Sequence, residues 1–175
     1  MPTAVSRSES PVRRCLELCV AMAVVLVAAC GCSHDGGSAP KPAGVYNPVV
    51  ISGNIAYVSG HGPSLPDGAM ICGKVGDDLS EEQGKLAARQ VGLTILATLK
   101  AQLGTLDRVG RILKVLGMVN ASPDFQKHPL VINGFSELMV EVFGESARAA
   151  RSAVGMGSLP GNIAVEIECI LELRS

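Results

Sequence analysis

Residues 150–169 read "ARSAVGMGSLPGNIAVEIEC". A short run of mixed character, a Gly/Pro-rich break and a second alternating run are the pattern of two strands of a sheet joined by a short turn. Successive side chains on a strand point to opposite faces. Arg151, Ala153, Gly155 and Gly157 therefore share one face, and Ser152, Val154 and Met156 the other. In the second run Val165, Ile167 and Cys169 face one way, while Glu166, Glu168 and Glu172 face the other. Charge on such strands has two readings. One is an ordinary solvated strand face. The other is a cleft floored by glycine and alanine backbone, in which the Arg151 guanidinium grips a carboxylate through two parallel hydrogen bonds and Glu166 positions or activates a water. The alternation alone leaves both open.

Working back from these strands, "RVGRILKVLGMVN" predicts a strand over 109–120. A helix is expected to start near Pro129, bury Val131, Phe135, Leu138 and Val142, and stop at Gly144, with proline early and glycine late as helices prefer. Upstream, Ser80 and Gln83 have capping-box spacing, and Ala88, Val91, Ile95 and Leu99 repeat at helical intervals, which predicts a helix over 81–103. Gly92 inside it weakens the helix by about 1 kcal/mol relative to alanine and marks close packing on a neighbour. "VVISGNIAYVSG" supplies two short apolar runs around Gly53-Asn54, a hairpin over 48–60. A Gly/Pro loop over 62–69 and a short strand near 70–75 complete the order β-β-(β)-α-β-α-β-β. That order is an α+β domain with helices on one face of a sheet.

The front of the chain differs. Residues 1–14 carry Arg7, Arg13 and Arg14 against Glu9, and Leu18 to Ala29 is an unbroken apolar run, a signal-peptide layout too short for the roughly 20 apolar residues of a spanning helix. The run ends in "LVAAC", which resembles a bacterial lipobox. Residues 1–29 are then a signal peptide, Cys30 becomes the lipidated first residue, and 30–44, small and rich in Gly and Pro, form a flexible tether to a domain over 45–175. A secreted protein cleaved near Ala29 without lipid is the other reading. Either places the domain outside the cytoplasm of a bacterium, and the first anchors it to the membrane.

Of the six cysteines, Cys72 and Cys169 fall in the domain, where their separation suits packed thiols better than a bridge. His34, His61 and His128 are scattered, so no metal spacing exists. Removing residues 1–29 takes away three Arg and two Glu, moving the net charge from −1 to about −2. With that balance, and only Tyr46, Tyr57, Phe125, Phe135 and Phe143 as aromatics, nucleic acid is not the expected partner.

The segments "SGHGP", "GKVGDDLS", "AARQVGLTILATLKAQLGTLDRV", "GMVNASPDFQKHPLVINGFSELMVEVFG" and "ARSAVGMGSLPGNIAVEIECI" resemble the Rid family, also called YjgF or endoribonuclease L-PSP proteins. The resemblance covers residues 45–173. Its strongest element is Arg-Ser-x-Val followed by Leu-Pro and a Glu-x-Glu strand. The long "GKVG" and "GMVN" segments look more like a less characterised branch than like the well-studied imine deaminases.

The resemblance implies a chorismate-mutase-like fold, assembled as a homotrimer with sheets turned inward and ligand clefts between subunits. It implies hydrolysis of enamine or imine acids to 2-keto acids and ammonia with no cofactor and no metal. The carboxylate-holding arginine of that family falls on Arg151 and the water-orienting glutamate on Glu166. Tyr46, the Gly60 backbone and Asn133 match its other ligand contacts. A cysteine often found two residues after the arginine is Ala153 here, so only its backbone N–H is available. His61 replaces the usual glutamine beside Gly60, as a proton carrier near the amine or as a hydrated loop histidine. Two further functions stand beside deamination: an envelope trimer that binds small carboxylates without catalysis, and the ribonuclease activity that gave the family one of its names, which the acidic chain favours least.

Overall fold

The computed structural model describes residues 39–174. The expected signal peptide over 1–29, the expected lipidation site Cys30 and most of the expected tether lie outside the described residues. The hairpin forms as the Gly53-Asn54 pair dictates: β1 (Val49–Ser52) and β2 (Ile55–His61) pair antiparallel, with Gly53 at φ 61° in the turn. Helix α1 (Glu81–Leu103) opens with a complete capping box, the Gln83 N–H donating to Ser80 Oγ at 3.2 Å and the Ser80 N–H to Gln83 Oε1 at 2.8 Å. After β3 (Val109–Asn120), helix α2 (His128–Phe143) begins with proline in its first turn and ends at Gly144. Strands β4 (Ala150–Met156) and β5 (Val165–Leu173) close the chain.

The sheet order is β1-β2-β5-β3-β4. β4 runs parallel to β3 at one edge, and β5 lies antiparallel between β3 and β2. The two strands of residues 150–169 are therefore not hairpin neighbours, since β3 passes between them. Their connection holds Pro160, Gly161 and Asn162 in a short 3-10 turn, with Asn162 at φ 57°. It is too long for a tight hairpin and instead arches over the end of β3, where the Asn120 N–H donates to the Ala164 carbonyl.

Both helices cover one face. Gly117 lies beneath Ile132 of α2, His61 is bonded to Thr98 of α1, and Gly117 and His61 both pair in register with Ile167. Between sheet and helices lie Ala56, Val115, Val119, Ile167 and Leu171 from below and Val91, Ile95, Leu99, Val131 and Phe135 from above, all at most 2% exposed. The helices approach each other closely where they lack side chains. A Cβ on Gly92 would meet Leu138, Met139 and Phe135, and one on Gly134 would strike the Lys85 carbonyl. Lys85–Glu137 and Arg89–Glu141 ion pairs then tie the outer rims.

Three expectations change. The segment near 70–75 is not a regular strand but makes isolated bridges, Cys72 to Ile163 and Val75 to Ala121. Val142 is 41% exposed at the last turn of α2, and Met139 takes a buried place instead. Cys169 is a packed thiol, whose pKa burial pushes up to about 12, whereas Cys72 is exposed.

The opposite face of the sheet is bare. Val50, Tyr57 and Val154 on it are 50%, 48% and 39% exposed, beside Leu116, Met118, Met156 and Ile170, and no element among the described residues covers them.

Candidate active site

Arg151 pairs in register with Val115, so it emerges on the helix-covered face, at the edge strand, where α2 overhangs. Its Nη1 donates to Asn133 Oδ1 at 3.0 Å and to Ser136 Oγ at 2.9 Å, and its Nη2 to the Pro129 carbonyl at 3.2 Å. Residues 129, 133 and 136 lie on one stripe of α2 because of their helical spacing. Gly134, pressed onto α1, fixes the height of that stripe above the sheet.

A guanidinium has five N–H donors, and three are occupied here. The remaining two are on Nε and Nη2, the nitrogens whose shared edge can grip a carboxylate side-on. None of the ion pairs among the described residues involves Arg151. Burial without a counter-charge holds its pKa below the ordinary value. Such a cation is short of an anion. Ala153 follows on the same face.

Glu166 pairs with Met118 and stands on the bare face. Its carboxyl lies directly over Gly60, in the space a side chain there would occupy. Gly60 sits in the irregular stretch between Val58 and His61, where β2 loses its register with β5. Partial burial first, and neighbouring Glu168 second, raise the Glu166 pKa. Tyr46, 46% exposed, precedes β1, and its hydroxyl accepts from the Ala43 N–H. The carbonyls of Asn47 and Pro48 hold Ser59 at the hairpin's far end, which carries Tyr46 toward the Gly60 end of the sheet.

The candidate residues thus form two groups. Arg151, Asn133 and Ala153 stand together, and Glu166 and Gly60 stand together with Tyr46 at their end of the sheet. Within one chain the groups lie on opposite faces. The single-cleft arrangement of Arg151 with Glu166 is therefore not present in one copy.

His61 belongs to neither group. It is 6% exposed beneath α1, with Nδ1 bonded to the Ser59 carbonyl at 2.7 Å and Nε2 to Thr98 Oγ1 at 2.9 Å. The carbonyl can only accept, so Nδ1 carries the proton and Nε2 accepts from the hydroxyl. Burial lowers its pKa. It is a core histidine, not a hydrated loop residue or a proton carrier. Ser136 is a site residue that the strand pattern did not reveal; its place one turn after Asn133 is the signal that was available.

A five-stranded mixed sheet with two helices on one face, carrying an arginine without a counter-charge on its edge strand, defines a small α+β protein. Residues 26–173 match the family model described as "YjgF/chorismate mutase-like, putative endoribonuclease", and the chain belongs to that family. It is 40% identical over 139 residues to Protein TCP17 of Trypanosoma cruzi, covering 79% of this chain and 87% of the relative. It is 30% identical over 137 residues to the 2-iminobutanoate/2-iminopropanoate deaminase of Dermatophagoides farinae, covering 78% of this chain and 91% of that one. Among solved structures it is similar to the protein Atu1372, of unknown function, from Agrobacterium tumefaciens, with a TM-score of 0.72 and 44% identity over 76% of this chain and 86% of that chain.

Proposed function

We propose that the chain assembles as a homotrimer and hydrolyses small 2-imino acids to 2-keto acids and ammonia. The observation that carries this reading is the vacant Nε/Nη2 edge of Arg151, a side-on carboxylate seat with no internal anion. The bare sheet face, with Tyr57, Val50 and Val154 half exposed, supports burial against further copies. Such packing would bring Arg151 of one copy to Glu166 and Gly60 of the next, completing a cleft that one chain lacks.

In that cleft the Arg151 fork holds the substrate carboxylate, and the imine carbon lies toward the second copy's Glu166. Glu166, its pKa raised toward the working range, takes a proton as water adds to the imine carbon. It returns that proton to nitrogen to give the carbinolamine, then carries the hydroxyl proton to the same nitrogen as the carbonyl forms and the C–N bond breaks, so that ammonia and the 2-keto acid leave. Positioning supplies most of the acceleration. The D. farinae relative is named for this activity.

The test couples the full chain to an amino-acid oxidase that generates imino acid and traps the imine with semicarbazide. The wild type should deplete the trappable imine at least tenfold faster than Arg151→Ala; equal rates overturn the deaminase reading. A binder without catalysis is the second reading, favoured by the signal-like residues 1–29. It predicts saturable 2-keto acid binding in wild type and Glu166→Ala alike, with no imine turnover. We further propose lipid anchorage at Cys30, so incorporation of a labelled lipid precursor is lost in Cys30→Ala; label retained there excludes that residue as the anchor.

A further inference from the structure

His128 opens α2 immediately before Pro129, whose carbonyl accepts a hydrogen bond from Arg151. Its imidazole lies on Gly155, in the space a Cβ at that position would fill, and Phe125 meets the ring edge-on with centroids 5.3 Å apart at 90°. Gly155 shares its strand face with Arg151 and Ala153, because alternate residues of β4 point the same way. Two features of this strip therefore have one explanation each: glycine at 155 admits the ring and Phe125 fixes its orientation, while Ala153 puts only a methyl on the strand between Gly155 and Arg151.

What the imidazole lacks is a protein partner. Neither ring nitrogen makes a hydrogen bond among the described residues, although the ring is half-buried. The contrast with His61, whose two nitrogens are both bonded, is direct. The first turn of α2 contains no acidic residue, and Lys127 is drawn off by Glu81 at 2.9 Å. A ring held by packing on both sides, unbonded and beside an unpaired arginine, is placed to serve a ligand.

We infer that His128 is a specificity-determining residue that hydrogen-bonds a second carboxylate at the far end of the ligand, so that the site prefers 2-imino and 2-keto dicarboxylates over monocarboxylates of equal length. This rests on the reading of Arg151 as the seat of the first carboxylate. With the 1-carboxylate on the Arg151 fork, the chain of the ligand runs over Ala153 toward Gly155, and the ring nitrogen meets whatever group it carries there. A methyl in that place leaves the imidazole unbonded; a carboxylate satisfies it.

The test uses the full chain and two ligands of equal chain length, 2-oxoglutarate and 2-oxopentanoate, titrated calorimetrically against wild type, His128→Ala, His128→Asn and Arg151→Ala. Wild type should hold 2-oxoglutarate about tenfold more tightly, the scale of one charged hydrogen bond. His128→Ala should abolish that preference while leaving 2-oxopentanoate within about twofold of wild type, and His128→Asn should restore part of it. Equal affinity of wild type for both ligands, or a loss in His128→Ala that is the same for both, overturns the inference and leaves the Arg151 seat standing. Binding of neither ligand, or binding indifferent to Arg151→Ala, overturns the seat and the inference with it. Thermal melts of the variants separate these results from misfolding. Should His128→Ala melt, Gly155→Ala, which displaces the ring from the strand side, gives the same comparison.

Discussion

Arg151 and Glu166 stand on opposite faces of one sheet, Arg151 in register with buried Val115 and Glu166 with Met118, three residues further along β3 and so on the other face. Strand geometry fixes this: no rotamer brings the two groups to one small molecule through the sheet. If both act on the same substrate, each cleft takes one from each of two copies. Arg151→Ala and Glu166→Gln should each abolish imine hydrolysis alone, yet complement one another when co-expressed. In a statistical mixture about a quarter of the clefts contain both intact groups, so activity per protomer should return to about a quarter of wild type. Mixed oligomers proven by mass spectrometry but without activity would overturn the shared cleft.

The seat itself depends on α2. Ser136 and Asn133 occupy both Nη1 hydrogens and so turn the Nε/Nη2 edge outward. Ser136→Ala removes one hydrogen bond from the guanidinium to an uncharged acceptor and should weaken 2-keto acid binding about fivefold, on the order of 1 kcal/mol. Its effect falls on KM, with kcat largely unchanged, because the residue positions the arginine without touching substrate. Arg151→Lys keeps the charge and loses the fork, and should cost more than tenfold. Calorimetric titration with 2-oxobutanoate measures both; an affinity for Arg151→Lys equal to wild type would mean that charge alone is read.

Much of the fold was legible because local signals agreed. Ser80 and Gln83 marked the start of α1, Gly144 the end of α2, and Gly53-Asn54 the hairpin turn. The order of strands in the sheet was not, since β3 inserts between β4 and β5 through long-range pairing that no short window encodes. The site followed the same division. Alternation separated the face of Arg151 from that of Ser152, and resemblance supplied roles, but Ser136 and the separation of Arg151 from Glu166 required the sheet register. His61 looked like a loop residue beside Gly60, and its burial became visible only once α1 was laid over β2.

Gly60 lets the Glu166 carboxyl lie against the backbone, and Gly60→Ala should expel it and reduce turnover at least tenfold, while the Arg151 seat keeps its affinity. Glu166 also carries a stability signature. Its folded pKa is raised by burial and by Glu168, so its contribution is fully present below the unfolded value of about 4.5 and is lost as pH rises through the higher folded value. Glu166→Gln should therefore gain Tm relative to wild type as pH is raised from 4 to 7, even as activity disappears. Parallel melting curves across that range would refute the assignment.

His61 gives the opposite sign. It is held neutral between Ser59 and Thr98, with its folded pKa pushed by burial below the ordinary 6.5. The unfolded chain takes up a proton that the folded chain refuses, so stability is full above pH 6.5 and falls as pH drops from there through the lowered folded value. Urea unfolding of the full chain between pH 7.5 and 5 should show this decline. His61→Gln, less stable throughout because it disturbs both hydrogen bonds of a buried side chain, should lack the part of the slope that begins near 6.5. An unchanged slope in that variant would assign the acid sensitivity to other groups and remove His61 as its source.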